Sequence, residues 1–142
     1  MSNVKNSIKE QLILHEDLRL KPYECTEGYI TIGVGRNLEA KGISEELALK
    51  WLDEDVEDVI GQLKKYKWFS KLDPVRKKVI IDMGFNLGVP GLLEFKKMIQ
   101  AIRDNDFERA AAEMKDSKWH EQVNDRALRL EEMMRTGEDY ES

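Results

Sequence analysis

Within the stretch HEDLRLKPYECTEGYITIGVGRN, residues 15–37, three side chains could act together on a polar bond: Glu16, then after eight residues Cys25, then after five more Thr31. A carboxyl group can hand a proton to a departing oxygen, while a thiol and a hydroxyl can hold or activate a water molecule. Cys25 is the chain's one cysteine, and it sits where a carboxylate would serve better. A free thiol has a pKa near 8.5 and is a poor base at neutral pH unless its surroundings lower that value. Glu24, its neighbour, is a second carboxylate that could take the part. Spacing by itself leaves plainer readings open: a helix-end salt bridge for Glu16, an ordinary strand residue for Thr31, and a thiol packed at a hairpin edge for Cys25.

The flanking pattern says what must position these groups. Val4, Ile8 and Leu12 recur every four residues and predict a first helix that ends between His15 and Asp17, with Glu16 at its end. From Pro22 to Asn37 the helical period disappears. Gly28, Gly33 and Gly35 punctuate a run rich in β-branched and aromatic residues, so a small hairpin or short sheet is expected, with the glycines serving turns and close backbone approach. Ser44 reads as an N-cap followed by Glu45 and Glu46 in the favourable first turn. Leu49, Leu52, Val56, Val59, Ile60 and Leu63 then form one stripe on the longest predicted helix, of a length that suits a connector.

Asp73-Pro74 starts another helix, which Gly88 stops. Leu92, Phe95, Met98, Ile99 and Ile102 make a further apolar face, and Phe107, Ala110, Ala111 and Met114 a shorter one. Ser117 and Asp125 can cap two more helices, the last closing at Thr136-Gly137. The six methionines and most aromatics fall on these stripes and read as core. The expected fold class is α+β and mainly helical.

Bulk composition narrows the function. At 142 residues, with 41% hydrophobic and 36% charged side chains, the chain is the size of one ordinary globular domain. No segment reaches the apolar length of a membrane span, and the first residues lack a secretory signal pattern, so synthesis in a cytosol is expected. One cysteine, and two histidines as far apart as His15 and His120, offer no metal-site spacing. The net charge of −5, with acids spread among bases, gives no stripe for nucleic acid. The lysine pairs at 64–65, 77–78 and 96–97 read as solvated helix faces.

The segment LRLKPYECTEGYITIGVGRN closely resembles the catalytic segment of the bacteriophage-type lysozymes, the muramidases of glycoside hydrolase family 24. Their pattern is Glu, eight residues, Asp or less often Cys, five residues, Thr. Two later segments agree in order: DMGFNLG at 82–88 resembles the helix lining that family's cleft, and NDRALRLEEMMRTG at 124–137 its Arg-rich C-terminal helix. The resemblance implies a lysozyme-like two-lobed fold in one domain, residues 1–142. Residues of about 16–62 form its small hairpin lobe with the connecting long helix, and about 63–142 together with helix 1–15 form its helical lobe.

It also implies roles. Glu16 matches the general acid, which must carry a proton near neutral pH. Thr31 matches the residue that helps hold the attacking water, and Cys25 the position that aligns or activates that water. Arg126 matches the arginine that pairs with the acid and orients it, and Asn86 a polar position on the cleft wall. The implied activity is that of an endolysin, a bacteriolytic hydrolase cutting the β-1,4 bond between N-acetylmuramic acid and N-acetylglucosamine with inversion and without a cofactor. Two alternatives stay open: a lytic transglycosylase on the same bond, and a non-catalytic wall-binding protein of the same fold. Implied too are peptidoglycan as partner, a holin-type protein that opens the membrane, a monomeric state, and residence in the host bacterial cytoplasm before lysis.

Overall fold

A computed structural model describes residues 2–140. The chain divides into two compact units, residues 1–50 and 51–142. The mainly helical α+β class expected from the sequence is the one observed.

In the first unit, helix α1 (Ser2–Glu16) ends where Asp17 turns left-handed at φ +66°, its N–H donating to the Ile13 carbonyl at 2.9 Å. That is the backbone pattern of an αL cap, here on a residue other than glycine. The stripe Val4, Ile8 and Leu12 is exposed, and nothing within residues 1–50 buries it. Strands β1 (Arg19–Glu24), β2 (Ile30–Gly33) and β3 (Arg36–Asn37) form an antiparallel sheet in that order. The extended structure begins at Arg19, ahead of the expected Pro22. Pro22 lies inside β1, and the pairing slips between Arg19 and Tyr23, because proline has no N–H to give the ladder. A short helix α2 (Leu38–Lys41) follows, its Ala40 N–H capped by the Asn37 side chain at 3.1 Å.

Helix α3 (Glu45–Leu63) begins as expected, with Ser44 Oγ accepting the Leu47 N–H at 3.1 Å. In the second unit follow α4 (Lys67–Ser70), α5 (Pro74–Leu87), α6 (Val89–Leu93), α7 (Lys96–Arg103), α8 (Phe107–Lys115), α9 (Lys118–Val123) and α10 (Asp125–Thr136). Their core is dense: Leu63, Val79, Ile80, Met83, Leu92, Met114 and Met134 are fully buried. Each such side chain contributes roughly 1.5–3 kcal/mol of transfer free energy. Of the six methionines expected to fill the core, those at 83, 98, 114, 133 and 134 do so, and Met1 lies outside the described residues.

Gly84 shows why a small residue is needed in α5. A Cβ there would lie 3.0 Å from Val59 Cγ1 and 3.5 Å from Leu92 Cδ2, so glycine lets the neighbouring side chains close in. Asp73 and Ser117 cap their helices, accepting the N–H groups of Arg76 and His120 at 3.1 and 3.2 Å. Asp125 does not. Asn124, at φ +32°, is the residue before α10, and Asp125 lies in its first turn, where its charge faces the positive end of the helix. The apolar face expected over Leu92–Ile102 is buried apart from the half-buried Phe95, but the chain breaks at Glu94–Phe95 into two helices.

Candidate active site

Backbone geometry places Cys25 and Thr31. Cys25 opens the turn joining β1 to β2: its carbonyl accepts the Gly28 N–H and its own N–H donates to the Tyr29 carbonyl, both at 2.9 Å. Gly28 supplies the left-handed residue, φ +86°, that such a turn requires. Tyr23 faces Thr31 across the ladder, and Glu24 faces Ile30. The Thr31 hydroxyl donates to the same Tyr29 carbonyl at 2.9 Å. One carbonyl oxygen thus gathers the Cys25 amide and the Thr31 hydroxyl, and Thr31 is 3% exposed.

Cys25 is half-buried and free. Hydrogen bonding from the Tyr29 backbone, then from that of Glu27, favours its thiolate, and the Thr31 hydroxyl adds to this. Together they outweigh burial and the Glu27 charge and hold the thiol below its ordinary value. More of Cys25 is therefore in the thiolate form at neutral pH than of a free thiol.

Glu16 lies at the connection between β2 and β3. The tight connection between β2 and β3 takes Gly33 to φ +71° and Gly35 to φ +68°. A Cβ on Gly35 would sit 2.9 Å from Glu16 Oε2 and 3.2 Å from its Cδ, so the carboxyl group lies directly on that glycine. The close approach expected of the glycines is realised at Gly35. Glu16 itself is exposed, and Glu24 is exposed at the end of β1.

Arg126 and Asn86 belong to the second unit. Arg126 Nε donates to Asp82 Oδ1 at 2.7 Å, and its Nη2 lies 2.6 Å from the same oxygen. The two line a recess of about 350 Å³ with Leu52, Ile81 and Phe85, the last of these 44% exposed. Asn86 Oδ1 accepts the Trp119 indole N–H at 2.9 Å, which fixes the amide and leaves its NH2 group to donate. Sequence reasoning gave no role to Asp82 or Trp119. The i, i+4 spacing of Asp82 and Asn86 on α5 was the available signal, since it puts both on one helix face. Among the described residues no cluster of three metal-ligating side chains occurs.

Comparison with known proteins identifies the family. The sequence profile of the phage lysozyme family matches residues 14–135. The chain is 31% identical to Probable T4-type lysozyme 1 of Dictyostelium discoideum, covering 93% of this chain and 95% of that one. It is 30% identical to the Pre-baseplate central spike protein Gp5 of Enterobacteria phage T4, over 95% of this chain but 28% of the relative. To Peptidoglycan hydrolase gp36 of Pseudomonas phage phiKMV it is 27% identical, over 84% of this chain and 14% of the relative.

Proposed function

The chain belongs to the phage lysozyme family and is a peptidoglycan-degrading enzyme, and from that premise we propose that it hydrolyses the β-1,4 bond between N-acetylmuramic acid and N-acetylglucosamine with the groups gathered in residues 16–35. The observation that carries the assignment of groups is the seating of Glu16 on Gly35 in the sheet whose Tyr29 carbonyl joins Cys25 to Thr31.

In this reading the Glu16 carboxyl protonates the glycosidic oxygen as the bond breaks. A sugar seated on the exposed group excludes water from it. Positive charge develops on the anomeric carbon, and a water held on its far face adds there with inversion. Cys25 takes the proton of that water or aligns it. Thr31, whose proton goes to the Tyr29 carbonyl, offers its lone pairs to the same water. Asn86 is the sugar-binding residue, with the NH2 group that Trp119 leaves to it. Arg126, whose guanidinium pairs with Asp82 here, takes the part of positioning residue for the acid only through the family resemblance.

The lobe assignment of this reading places residues 16–62 in a small lobe and 63–142 with helix 1–15 in a helical one. No helix among the described residues is long and apolar enough to cross a membrane. The proposed course is accumulation of a monomer in the host cytoplasm and access to the wall through a holin-type lesion.

The test is Glu16→Gln. The variant is expected to keep its melting temperature and lose more than a thousandfold in lysis of chloroform-treated Gram-negative cells. Mass analysis of the wild-type products is expected to show reducing ends. Anhydro sugars would instead assign the chain to the transglycosylases, and retained lysis in Glu16→Gln would remove Glu16 from the acid role.

A further inference from the structure

One dense cluster of charge in this acidic chain has the opposite sign. Seven basic residues fall between positions 64 and 78, with Asp73 the one acid among them. The fold arranges part of that run around a recess of about 680 Å³ at the junction of α4, α5 and the end of α7. Lys65, Lys67, Lys71 and Arg103 line it and are all exposed.

Asp73 does not neutralise them. Its carboxylate accepts the Arg76 N–H and pairs with Arg76 Nη1, both at 3.1 Å. Arg76 is itself consumed by structure: Nε donates to the Met134 carbonyl at 2.7 Å, Nη2 to the Arg135 carbonyl at 3.1 Å, and its guanidinium lies 3.7 Å from the centre of the Phe107 ring. Among the described residues none of the four lining cations forms an ion pair. The four like charges around one concavity repel one another, a cost that an anion in the recess removes.

We infer that this recess binds a phosphate-bearing glycopolymer, the phosphodiester-linked anionic chain type found in bacterial walls. Two features separate this class from other polyanions. The aromatic rings in the recess are already engaged, Trp68 buried and stacked on Tyr66 at 6.0 Å, Tyr66 with Lys65 over its ring and Phe107 with Arg76 over its own, so no open face is left for the stacking that single-stranded nucleic acid uses. No large hydrophobic side chain is exposed between residues 64 and 78 or between 102 and 107, so the apolar wedge of a membrane-surface site is missing there. The wall as source rests on the chain's membership among the lysozymes, whereas the phosphate chemistry does not. Such a site would let a chain of net charge −5 hold an anionic wall that repels it as a whole.

The experiment is fluorescence anisotropy with a labelled oligo(glycerol phosphate), run on the wild type, on Glu16→Gln and on Lys67→Glu/Lys71→Glu. The expected result is saturable binding by the wild type and by Glu16→Gln alike, with log affinity falling against log salt at a slope of about −3, as for four phosphates neutralised. The double variant, checked for an unchanged circular dichroism spectrum, is expected to lose roughly tenfold or more. Equal affinity in the double variant, or no saturable binding at low salt, overturns the inference. Tighter binding of an oligothymidylate or of anionic phospholipid vesicles than of the glycerol phosphate chain overturns the ligand class. Because Glu16→Gln is included, loss of the hydrolytic reading leaves the binding result intact.

Discussion

In residues 1–50 Thr31 is the one buried side chain among the described residues, whereas every buried hydrophobic side chain lies in residues 51–142. The first unit is held by a short hydrogen-bonded ladder, two turns and left-handed residues at 17, 28, 33 and 35. The second is held by side chains packed to fill volume. In the proposed assignment the reacting groups, which must meet polar substrate, sit at a helix end and on a small sheet placed by backbone geometry, while the buried apolar side chains that supply stability lie in residues 51–142.

The comparison breaks most visibly in the core. Met83 is fully buried in α5, and Met83→Ala is expected to cost about 2–5 kcal/mol, because the thioether's contacts are lost and the site cannot collapse fully. Urea denaturation followed by circular dichroism measures this. The comparison requires that the specific activity of the folded fraction stay near that of the wild type. A loss of activity beyond the folded fraction would join the core to the chemistry.

Gly35→Ala probes the opposite case. Its backbone sits at φ +68°, so alanine there is strained by roughly 1 kcal/mol. The new Cβ would meet Glu16 Oε2 at 2.9 Å, and because that carboxyl ends a flexible side chain it can swing away at little cost. The swing itself is what harms the reaction. Displacing a reacting group by about 1 Å costs on the order of a hundredfold in rate. The expected outcome is a small fall in denaturation midpoint with a large fall in turnover. A variant that loses stability alone would separate Gly35 from the acid.

What the sequence made legible follows the same division between local and distant causes. Ser44, Asp73 and Ser117 cap helices through bonds three residues long, so composition near each position sufficed. The hairpin glycines were legible because only glycine populates the conformations they hold with ease. Asp125 misled because Asn124 already occupies the capping position. The break between α6 and α7 carries no proline or glycine at Glu94–Phe95 and leaves the apolar period running through it. The pairs Arg126–Asp82 and Trp119–Asn86 join residues 44 and 33 positions apart, which no periodicity encodes. Glu16, Cys25 and Thr31 stood out only through their resemblance to a family motif. The pairing of Cys25 with Thr31 depends on the bond from the Thr31 hydroxyl to the Tyr29 carbonyl and on the turn at Gly28, which a list of residue types does not contain.

The finest test of the comparison changes the base and leaves its scaffold in place. The Tyr29 and Glu27 backbone lowers the Cys25 thiol from its ordinary value, so the thiolate is lost as pH falls through that lowered pKa. An aspartate at the same place has an ordinary pKa of about 3.9 and stays ionised well below that point. If Cys25 serves the water, Cys25→Asp keeps turnover within about threefold at neutral pH, and its advantage over the wild type grows as pH is lowered until the carboxylate itself protonates. Turbidity loss measured against pH on both proteins reads this directly, and iodoacetamide is expected to stop the wild type while leaving the variant active. Superimposable pH profiles, or full wild-type activity after alkylation, would show that the backbone of residues 25–29 shapes the turn and that the thiol takes no part. Because the substitution lies in a turn that packs no core, its effect on the denaturation midpoint is expected to be the smallest of the series. A large one would mean that the hairpin carries stability which the division between the two units assigns to residues 51–142.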